Sequence, residues 1–210
     1  KNYHLLLLAK NNTGYKNLIK LISAAHLEGF YYKPRVDWEL LKQYHEGIIA
    51  STACLGGEIA QHILAGDLEG ARKRILEYNE LFGQDNFYLE IMDHPELPGQ
   101  TKVNQALIAF SKELSIPLVA TNDIHYLKKE DAEAQDILLC LQNKKKITDT
   151  DRMSMIGCGD YSMRSNADMI AAFKDTPEAV ANTLKIADMC NVEIELGHIQ
   201  LPYFEVPEGY

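Results

Sequence analysis

Cys54, His94, Asp123 and His125 stand where metal chemistry needs them, each following a short apolar run that reads as a β-strand. Cys54 comes directly after residues 48–53, His94 after 87–93, and Asp123 and His125 after 117–122. A thiol, two imidazoles and a carboxylate form a mixed N/O/S donor set. Such donors bind a cation at about 2.0–2.3 Å and suit zinc, manganese or iron. The D-x-H spacing is informative, because residues two apart in extended chain point to the same face, so both groups can approach one cation. By the same alternation Cys54 shares a face with Ile48, Ala50 and Thr52, and His94 shares one with Tyr88, Glu90 and Met92.

Each residue also has a plainer reading. A cysteine after a strand often packs as a small hydrophobe. His94 could be a hydrogen-bonded loop residue, Asp123 a cap for the next turn, and His125 a neighbour of Tyr126. The coincidence of ligands at three strand ends is what favours metal. A Cys54 thiol nucleophile is the weaker chemical alternative, since no helix N-terminus or second basic partner is assignable. His4 opens its strand and falls at the opposite rim if that strand is parallel, so it reads as structural. His26, His45, His62 and His198 have no strand-end context. Lys33 and Arg35, in Tyr31-Tyr32-Lys33-Pro34-Arg35, read as a phosphate-binding pair or as an ordinary solvated pair, and so does the run Lys144-Lys145-Lys146. The sequence has no G-x-x-x-x-G-K-[ST], G-x-G-x-x-G or G-x-S-x-G, so the usual phosphate cradles and serine elbow are absent.

The elements that must position these residues alternate. Residues 5–9 read as a strand and 14–28 as a helix, with Leu18, Leu21, Ile22 and Ala25 on one stripe. Pro34 interrupts, and Asp37 caps a short helix running to Tyr44. Strand 48–53 precedes Gly56-Gly57 and a helix to Leu64. Asp67 caps another helix, which Gly83 ends. Strand 87–92, a helix through Val103, Leu107, Phe110 and Leu114, strand 117–121 and helix 130–142 follow. Residues 144–160 read as a long loop, and Thr176-Pro177 opens a helix ending near Cys190. Strands separated by helices imply parallel pairing, in an open doubly wound sheet or a β/α barrel. Both architectures place chemistry at the carboxyl ends of strands.

Composition agrees with a folded domain. Of 210 residues 46 % are apolar and 24 % charged, enough for a core without disulfide staples. The net charge of −9 disfavours a broad nucleic-acid-gripping surface. Four cysteines without a C-x-x-C pair favour reduced thiols and a cytoplasmic setting. No leader or membrane-length apolar run is apparent, and a start at Lys1 suggests a piece of a longer protein.

Four segments carry a resemblance: Tyr3-His4-Leu5-Leu6-Leu7-Leu8-Ala9-Lys10-Asn11, Gly29-Phe30-Tyr31-Tyr32-Lys33-Pro34-Arg35, Ser51-Thr52-Ala53-Cys54-Leu55-Gly56-Gly57-Glu58 and Ala120-Thr121-Asn122-Asp123-Ile124-His125-Tyr126. They resemble the PHP (polymerase and histidinol phosphatase) domain, in the version carried at the amino end of the bacterial replicative DNA polymerase III alpha family. The resemblance runs over nearly the whole chain. It implies an α/β fold, a distorted (β/α)7 barrel truncated at its N-terminus here, with the PHP domain over 1–199 and a linker toward a polymerase palm over 200–210. It further implies a metal cluster in the barrel mouth, for which Cys54, His94, Asp123 and His125 correspond to the last four of nine ligand positions. The other five, including a His-x-His, would precede Lys1. Pro95 departs from the glycine common at its position.

The same resemblance sets the functional expectations. The parent would be a DNA-directed DNA polymerase, a nucleotidyltransferase using DNA, deoxynucleoside triphosphates and palm-bound magnesium, with partners among replicative holoenzyme subunits and none in a membrane. This domain would be a divalent-metal phosphoesterase module, used by some relatives as a 3′–5′ proofreading exonuclease; Lys33 and Arg35, read from the loop itself and not from the resemblance, would be substrate-phosphate contacts. The alternative is a catalytically silent scaffold that docks a separate proofreading subunit. A free-standing sugar- or histidinol-phosphate phosphatase is a third reading, disfavoured by the Pro-rich tail. Residues 1–210 alone are expected to be a poor catalyst.

Overall fold

A computed structural model describes residues 2–199 and 201–207. The described elements are β1 (Leu6–Ala9), α1 (Asn12–Leu27), α2 (Trp38–Gln43), β2 (Ile48–Ser51), α3 (Glu58–Leu64), α4 (Leu68–Phe82), β3 (Phe87–Met92), α5 (Gln100–Leu114), β4 (Leu118–Thr121), α6 (Ala132–Gln142), α7 (Asn166–Ala172) and α8 (Pro177–Met189). A 3-10 turn, Lys129–Asp131, leads into α6. Several ends follow from local chemistry. The side chains of Asn11, Asp37 and Asp67 accept the backbone N–H three residues on and so cap α1, α2 and α4. Gly83 ends α4 with φ at 85°. Helix α7 is absent from the sequence expectation, although Ser165 and Asp168 form a reciprocal capping box at its start.

The strands form one four-stranded sheet in the order β1-β2-β3-β4. Pairing is parallel between β2 and β3 and between β3 and β4, as the alternation predicts. At β1 it is not. Leu6 pairs with Ser51 and Ala9 with Ile48, so β1 runs antiparallel to β2. Among the described residues the sheet stays open, and barrel closure is not seen.

The two faces differ. Ile48, Ala50, Phe87, Leu89, Ile91, Leu118 and Ala120 point into a large apolar cluster against α1, α3, α4 and α5. On the other face, Ile49, Tyr88 and Val119 meet Ile186 of α8 in a small cluster. Helix α8 crosses the β4 edge, where Asn182 donates to the Leu118 carbonyl at 2.7 Å. Leu6 and Leu8 lie on this second face, 42 % and 37 % exposed. No helix of the described residues is long and apolar enough to cross a membrane. Residues 201–207 are exposed without regular structure; the remaining positions expected in the tail lie outside the described residues.

Candidate metal centre

The strand-end residues gather at the rim where β2, β3 and β4 finish, and the reversed β1 adds one more. Because β1 is antiparallel, its first residues lie beside the end of β2. His4 bridges to Gly57, and its Nδ1 sits 3.2 Å from Cys54 Sγ. The reading of His4 as a structural residue on the opposite rim is therefore corrected: it is at this rim, against a candidate ligand. A side chain at Gly56 would place its Cβ 2.9 Å from His4 Nδ1, so glycine is what lets the imidazole approach.

Cys54 is not delivered by simple strand alternation. Its supposed face-mates Ile48 and Ala50 point into the helix-packed core. What re-aims the chain is Ala53, which takes a left-handed conformation with φ at 58°. That turn is held from β3 by Glu90, only 4 % exposed. Glu90 Oε2 accepts from the Ala53 amide at 3.1 Å and from Ser51 Oγ at 2.5 Å, while Oε1 accepts from Thr121 Oγ1 at 2.6 Å. One buried carboxylate thus ties the ends of β2, β3 and β4 together beneath the rim.

His94 follows β3 and is 1 % exposed. Neither of its ring nitrogens makes a hydrogen bond of good geometry, although the Asn122 main chain lies near enough to act on the ring. The ring stacks on Tyr161, with centroids 4.3 Å apart and planes at 20°. Burial pulls its pKa below the ordinary histidine value, against the opposing pull of the Asp123 carboxylate. A neutral imidazole keeps a lone pair free for a cation. Gly159, with φ at 125°, lies close enough that a Cβ would stand 3.2 Å from His94 Nδ1.

Asp123 and His125 also depart from the extended geometry expected of D-x-H, since Asp123 is left-handed with φ at 47°. The turn nonetheless brings the pair together. His125 Nδ1 donates to the Asp123 main-chain carbonyl at 2.6 Å, and it lies 4.0 Å from Asp123 Oδ1. A ring that donates through Nδ1 to a carbonyl presents Nε2 as its free acceptor, the arrangement usual for metal-bound histidine. The His125 ring meets the edge of Tyr161 at 5.4 Å rather than packing on Tyr126. Asp123 acts on Cys54, His94 and Tyr161. Burial pushes the Cys54 thiol up and Asp123 adds to that effect; the same two causes raise the Tyr161 hydroxyl.

Tyr161 is the residue that sequence reasoning missed. It is buried, touches both imidazoles, and its carbonyl accepts the His125 amide at 2.9 Å. It lies in the 144–160 loop's continuation, where nothing in the spacing marks it. Beside His94 opens a cleft of about 620 Å³ lined by both signs of charge, Asp93, Glu96, Asp160 and Asp168 with Lys128, Lys129 and Arg164. Arg164 closes on Asp93 at 2.8 Å. Lys33 and Arg35 do not line this cleft; both are exposed on the loop after α1.

The donor types fit a borderline-soft divalent cation, and His94, whose ring makes no hydrogen bond of good geometry, fits a ligand position. The spacing is looser than a closed site: among the described residues no three His, Cys, Asp or Glu side chains converge closely enough to hold one ion.

Residues 1–94 match the PHP domain. The chain is 44 % identical to DNA polymerase III subunit alpha of Borreliella burgdorferi over 207 residues, 98 % of this chain and 18 % of the relative. The alpha subunits of Treponema pallidum (44 % identity over 208 residues, 99 % and 18 %) and Thermus aquaticus (43 % over 213 residues, 99 % and 17 %) match alike. The chain is similar to one segment of these DNA polymerase III alpha subunits and spans less than a fifth of their length.

Proposed function

We propose that the chain is the PHP domain of a bacterial replicative DNA polymerase alpha subunit and that its strand-end rim is a divalent-metal phosphoesterase centre acting as a 3′–5′ exonuclease. One observation carries the reading: a buried His94 whose ring nitrogens make no hydrogen bond of good geometry, neighboured by Asp123, whose charge also reaches Cys54. Cys54, His94, Asp123 and His125 would hold the metal, zinc, manganese or iron, with His4 joining from β1. A bound cation would supply an activated water and neutralise charge on the scissile phosphate.

The chain's own groups have definable parts in this. His94 stays neutral by burial and offers a lone pair without first losing a proton. Cys54 keeps its proton until a cation displaces it. His125 is oriented by its bond to the Asp123 carbonyl, and Tyr161 fixes both rings. Lys33 and Arg35 would contact substrate phosphate. Residues 200–210 would connect to the polymerase palm, where magnesium-dependent nucleotide addition to DNA from deoxynucleoside triphosphates takes place.

The scaffold reading keeps one observation of its own, the absence among the described residues of three converging ligands. In that reading the domain stabilises the polymerase and docks a proofreading subunit of the holoenzyme. The discriminating experiment uses the full-length polymerase. Release of a mispaired 3′ nucleotide should require metal and fall at least a hundredfold in Asp123→Ala/His125→Ala, with primer extension retained. Equal release by both proteins, or none by either, would favour the scaffold.

A further inference from the structure

Most of the arginines on this acidic chain are already paired. Of its five arginines, Arg72, Arg74, Arg152 and Arg164 each hold a carboxylate within 2.8 Å. Arg35 is the exception: among the described residues neither it nor Lys33 has a carboxylate partner. Both lie in a loop that also exposes Phe30 (59 %), Tyr31 (62 %) and Tyr32 (84 %). The nearby Asp37 carboxylate is occupied, capping α2 through the Leu40 amide.

The loop is shaped rather than slack. The Tyr31 amide donates to the Lys33 carbonyl at 3.1 Å, and Arg35 Nε donates to the Gly29 carbonyl at 3.4 Å. The Arg35 guanidinium lies over the Tyr31 ring, 5.0 Å from its centroid, and Tyr32 packs edge-on against Tyr31 at 4.6 Å. Tyr32 is held in a left-handed conformation, φ 60°, which a bulky residue rarely adopts. Both tyrosine rings are presented to solvent.

Topology puts this loop at the functional end. Helix α1 begins where Gly14 abuts Gly47, just before β2, at the end of the sheet opposite the rim. It packs along β1 and β2. Sixteen residues at 1.5 Å each make it about 24 Å long, against about 13 Å for the four residues of β1. Helix α1 therefore runs toward the rim end of the sheet, and its C-terminal loop lies on that side.

We propose that the loop spanning residues 29–36 is a platform for single-stranded DNA, with Tyr31 and Tyr32 stacking bases and Lys33 and Arg35 contacting the phosphates between them. Aromatic faces interleaved with free cations are the pattern by which single strands are held without base-specific contacts. The proposal rests on the nucleic-acid phosphoester reading of the neighbouring rim and adds how its substrate is presented. A duplex, whose bases are already stacked, gains nothing from the rings.

The test uses full-length polymerase in EDTA, so that it does not depend on a metal at the rim. An oligothymidylate carrying 5-iodo-2′-deoxyuridine is photocrosslinked and the adduct mapped by mass spectrometry. The expected adduct is on Tyr31 or Tyr32, competed by plain oligothymidylate and not by duplex of equal length. Lys33→Gln/Arg35→Gln should lower its yield about tenfold at 150 mM salt, while Tyr31→Phe/Tyr32→Phe should preserve it. Adducts confined to other segments, equal competition by duplex, or an unchanged yield in the glutamine variant would overturn the proposal. So would strong amide-exchange protection of residues 29–36 in DNA-free polymerase, which would make the loop an internal protein contact. An adduct that persists in a protein shown to bind no metal would sink only the metal reading.

Discussion

The two faces of the sheet are built to different rules. The helix-packed face is apolar throughout, and Phe87, Leu89 and Ile91 are essentially sealed from solvent. The opposite face carries Ser51, Glu90 and Thr121, leaves Leu6 and Leu8 partly exposed, and ends at a rim where a buried imidazole makes no hydrogen bond of good geometry. The first face is where folding free energy accumulates. The second keeps polar groups that a purely structural face would replace.

That contrast can be broken or sharpened by substitution. Phe87→Ala should have the largest effect, about 3–5 kcal/mol lost by denaturant unfolding, because it opens a cavity in the sealed core and strips the stacking on Tyr78 and Phe82. Glu90→Ala should cost about 1–3 kcal/mol, since it strands the Ser51 and Thr121 hydroxyls and the Ala53 amide, with Glu90→Gln milder. A cost comparable to that of Phe87→Ala would mean that the second face is also a folding core.

His94→Leu makes the opposite kind of prediction. Replacing a buried polar ring that makes no well-formed hydrogen bond by an apolar side chain should leave the unfolding midpoint unchanged or raise it, while metal uptake falls. A large destabilisation would show that His94 is structurally satisfied. Away from both faces, Arg152 donates to Asp136 at 2.7 Å and holds its carboxyl below the usual aspartate range. The stability so gained is present above the ordinary aspartate pKa and is lost as pH falls through the lowered one. Wild type and Asp136→Asn should therefore differ in urea midpoint at pH 6 and converge toward pH 3. The smallest effect belongs to the exposed Lys42–Glu39 pair, where Lys42→Ala should shift stability by less than about 0.5 kcal/mol.

How much of this was legible in the sequence depended on whether the signal was local. Strand β3, the Asp67 cap and the Thr176-Pro177 helix start are written in a few adjacent residues, and all appear as read. The direction of β1 is not, because an apolar run such as Leu5-Leu6-Leu7-Leu8-Ala9 reads the same in either sense. Yet that direction alone decides whether His4 meets Cys54. The left-handed turns at Ala53 and Asp123 were equally hidden, since neither residue advertises a positive φ as glycine would. Strand-end spacing picked out the candidate ligands and the PHP resemblance agreed with it; the structure places Tyr161, Glu90 and His4 around them.

The central claim is that Cys54, His94, Asp123 and His125, with His4, grip a divalent cation at one rim of the sheet. Equilibrium dialysis of metal-stripped chain against zinc, and separately manganese, with metal counted per chain, tests it most directly. The account predicts bound metal in the wild type and a loss of that binding in Asp123→Ala/His125→Ala with an unchanged melting temperature. Folded wild type that takes up neither metal, or a double variant that binds as much as the wild type, would contradict it.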